Sequence, residues 1–85
     1  MHEMSIAMEI ARIAEEKLGA SASQLVAVGV ELGDAAGVEP ASLEFCLEAV
    51  FAMPPFRGAK GTLLPATGDT LRVSYLEVDD GNPDD

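Results

Sequence analysis

The apolar positions along the chain change period several times. Over residues 5–18, Ile6, Ile10, Ile13, Ala14 and Leu18 recur at helical spacing, while Glu9, Arg12, Glu15, Glu16 and Lys17 occupy the other face. That spacing predicts a helix, with Ser5 placed to cap its start and Gly19 to follow its end. In "SQLVAVGVEL" the period drops to two. Val26, Val28, Val30 and Leu32 share one face of a predicted strand, and Leu25, Ala27, Gly29 and Glu31 the other. "GDAAGVEP" reads as a loop, after which Pro40 suits the first turn of a second helix. Leu43, Cys46, Leu47, Val50 and Phe51 form that helix's apolar stripe, and "PPFRG" stops it.

Two shorter strands are predicted near "KGTLL" and "TLRVSYLEV". Between them lies "PATGD", whose Pro, Gly and Asp are turn residues that would close an ordinary hairpin. The order α-β-α-β-β, with few strands and a sheet face to bury, predicts a two-layer α/β domain: two helices packed on a three-stranded sheet. That domain is expected over residues 1–78, followed by a solvated acidic tail over 79–85.

Composition narrows the function classes. Eighty-five residues make one small domain with a modest core. Fifteen acidic residues against five basic give a net charge of −10, which opposes nucleic acid and anionic membranes and favours cations or basic partners. No apolar run approaches the roughly 18 residues of a membrane span. The first residues lack the basic and apolar regions of a signal peptide. Cys46 is the only cysteine and has no internal disulfide partner, so a reducing cytoplasm is the expected location. Catalytic constellations are missing: with one histidine, His2, no Ser-His-Asp or Cys-His set can be assembled, and "GDAAG" lacks the pattern of a nucleotide loop. An enzyme is not expected.

The one chemical candidate is the chain start, "MHE". The α-amine of Met1, the backbone nitrogen of His2 and the His2 imidazole can close fused chelate rings around one ion. The Glu3 amide or carboxylate can supply a fourth donor. Four N/O donors in a plane suit Ni(II) or Cu(II). Taken alone, a single histidine near a chain start is more often just an exposed residue. Met4 and Met8, one helical turn apart, offer soft thioethers, although packing or exposure accounts for them more simply. Cys46, on the apolar stripe of a helix, reads as a small buried hydrophobe, and Asp79, Asp80, Asp84 and Asp85 do not match a calcium loop.

"MHEMSIAMEI" followed by "LGDAAGVEPASLEFCLEAV" resembles the HypA/HybF family of nickel metallochaperones, and the resemblance resumes at "GDTLRVSYLEV". It implies that Met1, His2 and Glu3 bind Ni(II) for insertion into [NiFe]-hydrogenase, or in some organisms urease. The partners it implies are a HypB-type GTPase and the hydrogenase large-subunit precursor. Family members carry a zinc-binding insertion with two CxxC pairs between the last two strands; here "LLPATGDT" stands in its place. No zinc is therefore expected, since a structural site needs about four thiolate or imidazole ligands. Protons compete for the amine and imidazole, so nickel binding is expected to be lost below about pH 6. The alternative is a non-metal interaction or regulatory module that binds a GTPase or hydrogenase precursor. A homodimer through an exposed sheet edge is a further expectation.

Overall fold

The computed structural model describes residues 2–79. Its elements are α1 (Glu3–Leu18), a 3-10 turn η1 (Gly19–Gln24), β1 (Leu25–Gly33), α2 (Pro40–Phe51), β2 (Lys60–Ala66) and β3 (Leu71–Val78). Two helices and a three-stranded mixed sheet in the order α-β-α-β-β make an α/β fold, as predicted.

α1 starts two residues earlier than the periodicity suggests. Ser5 lies inside the helix, and His2 occupies the N-cap position in extended conformation, without a side-chain capping bond. The first helical bond runs from the Ile6 N–H to the His2 carbonyl at 3.2 Å. Gly19 ends the helix with φ of 54°, a backbone region that side-chain-bearing residues avoid, and its N–H donates to the Glu15 carbonyl. The buried residues of α1 are Ala7, Ile10 and Ala14, while Ile6, Ile13 and Leu18 are only half-buried. The apolar stripe is thus rotated towards its alanines.

α2 matches the predicted helix. Pro40 opens it, and the Glu39 carboxylate accepts the Ala41 N–H at 2.9 Å. Leu43, Leu47 and Phe51 are fully buried, with Cys46 and Val50 packed half-buried at the side. Phe51 meets Phe56 edge-to-face, ring centroids 4.8 Å apart.

The sheet departs from the predicted hairpin. Its order is β2-β1-β3, with β1 parallel to β2 and antiparallel to β3. β1 is the most apolar strand, and the centre buries most: Val28 and Val30 are fully buried. Pro65, which cannot donate to a ladder, and the polar Arg72 and Ser74 lie on the edge strands. α2 makes the crossover that parallel neighbours require. The four residues between Ala66 and Leu71 then step across the end of β1. Strands two places apart are separated by about 9.6 Å, well within the reach of four residues.

This crossing is bonded to the end of β1. The Gly33 N–H donates to the Thr70 carbonyl at 2.7 Å and the Ala35 N–H to the Gly68 carbonyl at 2.8 Å. The Asp34 carboxylate accepts the Gly68 N–H at 3.1 Å. A Cβ on Gly33 would collide with the Gly68 carbonyl, so only glycine permits this approach.

β1 also departs from strict alternation. Leu25 is buried and Val26 is 44% exposed, the reverse of the expected phase. A register shift between Leu25 and Ala27 accounts for it: Val26 is an extra residue that turns the strand's first side chain inward. From Val28 onward the predicted face holds, since Val28, Val30 and Leu32 are buried. A second shift opposite Gly29 and Val30 leaves Ser74 as the extra residue in β3.

Candidate functional site

The chain start is positioned by α1. Because helix geometry begins at Glu3, the first backbone N–H groups of α1 have no intrahelical acceptor. They present nitrogen donors at the positive end of the helix dipole, where a nitrogen that has lost its proton is electrostatically favoured. His2 is exposed and its extended backbone leads away from the helix. Met1, the source of the predicted amine donor, lies outside the described residues.

Glu3 is placed differently from His2. Its carboxylate accepts the backbone N–H of Glu39 at 3.0 Å, tying the first residue of α1 to the cap of α2. That bond, foremost, holds the Glu3 carboxyl below its ordinary value of 4.5; its own backbone N–H, the N-terminal charge and His2 act in the same direction. The two helices therefore begin side by side. Glu39 serves twice, receiving Glu3 through its backbone and capping α2 through its side chain. Sequence spacing gave no sign of this link, because the partners are joined only once the loop after β1 has folded back.

Among the described residues, no three His, Cys, Asp or Glu side chains converge to hold a metal ion. Met4 and Met8 are exposed, at 41% and 60%. Cys46 is half-buried against the core and carries a free thiol, away from any second cysteine. Among the described residues no helix is long and apolar enough to cross a membrane. Of the predicted acidic tail, residues 80–85 lie outside the described residues, while the Asp79 N–H donates to the Gln24 carbonyl at 2.8 Å.

Comparisons with known proteins converge on one family. The family model described as "Hydrogenase/urease nickel incorporation, metallochaperone, hypA" matches residues 1–70. The chain is 40% identical over 60 residues to Hydrogenase maturation factor HypA of Geobacter metallireducens, covering 71% of this chain and 53% of that protein. It is 42% identical over 69 residues to the protein of the same name from Azotobacter chroococcum mcd 1, covering 80% and 61%. The matches thus span little more than half the length of these relatives. The family match includes the Met1-His2-Glu3 start and stops short of β3. With a match over residues 1–70 of 85, the chain belongs to the HypA family of nickel-incorporation metallochaperones.

Proposed function

We propose that this chain is a cytoplasmic, non-enzymatic carrier of Ni(II) for maturation of [NiFe]-hydrogenase. Nickel is its cargo, held by the Met1 amine, the His2 backbone nitrogen and imidazole, and a donor from Glu3. The observation that carries this reading is the "MHE" start of a HypA-family chain, set directly before a helix whose first amides lack intrahelical acceptors. Glu3 contributes its backbone amide in preference to its carboxylate, because the carboxylate already receives the Glu39 N–H. Square-planar nitrogen donors select Ni(II) over zinc, which favours a tetrahedron.

The recipients in this reading are a HypB-type GTPase and the hydrogenase large-subunit precursor. Residues 1–78 act as the nickel-binding domain without a zinc insertion. One cysteine and one histidine cannot furnish a four-ligand zinc site, and the four residues from β2 to β3 already bridge the sheet. The test is calorimetric titration of Ni(II) into protein carrying its native N-terminus, beside His2→Ala and an N-acetylated form. Binding by the native protein alone is the expected result. Equal affinity after acetylation would rule out the amine chelate, and no heat in any form would favour the interaction module instead.

A further inference from the structure

We propose that Met4, Met8 and Met53 form a thioether site for one Cu(I) ion on the seam between α1 and α2, apart from the nickel donors. Packing leaves these side chains without a role. Methionine commonly fills gaps in a core. Here Met4, Met8 and Met53, the methionines among the described residues, are 41%, 60% and 62% exposed. Alanine, leucine, isoleucine, valine and phenylalanine fill the core instead.

The fold gathers thioethers that are remote in sequence. Met4 and Met8 stand one turn apart on one face of α1, a spacing that sets their Cβ atoms about 5–6 Å apart. Met8 and Met53 line the same shallow pocket of about 260 Å³, which Ala11 of α1 and Val50 of α2 also border. Met8 is therefore the shared member, a helical neighbour of Met4 and a pocket neighbour of Met53. The backbone of Met53 is held on both sides. Its N–H donates to the Val50 carbonyl at 3.3 Å, and its carbonyl accepts the Phe56 N–H at 3.0 Å. Two donors thus stand on a helix and the third on a bonded turn, while three rotatable bonds in each side chain allow the sulfurs to converge.

Donor chemistry selects the ion. A thioether is soft and neutral and has no proton to lose, and a set of thioethers suits Cu(I). Ni(II) and zinc are served better by imidazole or thiolate, which this pocket lacks. Neutral ligands leave the ion its positive charge, and the pocket tolerates it. Glu15 lines the pocket, and the charge of Arg12, the cation there, is already matched by Glu9 and by Glu16, the latter at 2.8 Å. Cys46, one turn before Val50 on α2, is half-buried against the core and is the competing sulfur that a test must exclude. The chain start and the seam then sort metals by donor, nitrogen for nickel and sulfur for copper. That sorting, though not the site, rests on the nickel reading.

The test adds Cu(I), as its acetonitrile complex under argon, to N-acetylated protein at about pH 5, where the imidazole is protonated. NMR of labelled methionine methyl groups reads the response. The signals of Met4, Met8 and Met53 should move together and saturate at one equivalent, and they should do the same in Cys46→Ala. Met8→Leu keeps the size of a largely exposed side chain, so the fold should persist while Cu(I) binds about tenfold more weakly or worse. Four results would overturn the proposal: no methyl shift with Cu(I) in excess, saturation of the three signals at different concentrations, equal affinity in Met8→Leu, or loss of binding in Cys46→Ala. None of them bears on nickel, because the blocked amine and the acid pH silence the chelate at the chain start.

Discussion

α1 and α2 begin side by side and serve opposite ends. α2 drives three large side chains, Leu43, Leu47 and Phe51, to full burial and ends against Phe56. α1 buries mostly alanine, leaves Ile6 and Ile13 half-covered, and spends its first residues on an exposed histidine with no capping bond. A helix that holds the core together needs volume and a secure start. A helix that presents donors needs a start kept clear of packing. In the proposed reading, stability and chemistry thus fall to different helices, and substitutions should separate them.

The largest effect on stability is expected at Phe51. Phe51→Ala removes a fully buried ring and its edge contact, and should cost about 3–5 kcal/mol in urea unfolding. Nickel affinity of the folded fraction should be unchanged. Gly61→Val comes next, because Leu47 is fully buried and cannot retreat from the new side chain. A loss of about 1–3 kcal/mol is expected, and a neutral result would show that α2 packs less rigidly on β2 than its burial implies.

Smaller effects are expected where the two helices are tied. Glu39→Ala removes the cap of α2 and should lower stability by about 1 kcal/mol, read from the same unfolding curves. Glu3→Ala should destabilise by less than Phe51→Ala or Gly61→Val, and its signature lies in pH dependence. The Glu3 carboxyl is held below its ordinary value in the fold, so its contribution is present above about 4.5 and fades as pH falls through the lower folded value. Glu3→Ala should therefore flatten part of the acid limb of stability in metal-free protein. Should Glu3→Ala retain nickel binding while losing that limb, the carboxylate is a tether and the amide the donor.

The smallest effect on stability belongs to His2→Ala, within about 0.5 kcal/mol of the parent, because the side chain is exposed and caps nothing. The same change should abolish Ni(II) binding. A large loss of stability here would collapse the distinction between the two helices.

Much of this was legible without coordinates, for local reasons. The α2 stripe, Pro40 at its start, Gly19 after α1 and the inward phase of Val28, Val30 and Leu32 all follow from periods and backbone chemistry within one segment. The chelate proposed at the chain start is argued from local chemistry too, because it involves neighbouring residues only. Errors arose where a residue's neighbour in space is remote in sequence. Ser5 looked like a cap because it stood before an apolar stripe, whereas α1 extends back to Glu3, whose carboxylate meets Glu39. "PATGD" looked like a hairpin because its residues favour turns, and turn chemistry does not say which strand lies alongside. Pro65 was the available hint that β2 would be an edge.

By itself the sequence determined the two helices and three strands, their order and the buried stripe of α2, since each depends on contacts within a few residues. Tertiary structure alone decided that β1 takes the centre and that Gly33 lies beneath Gly68. It also decided that Glu3 joins two helix starts. Those outcomes come from competition among whole elements for burial. The most apolar strand gains most from two neighbours, and the other two strands become the edges once it has them.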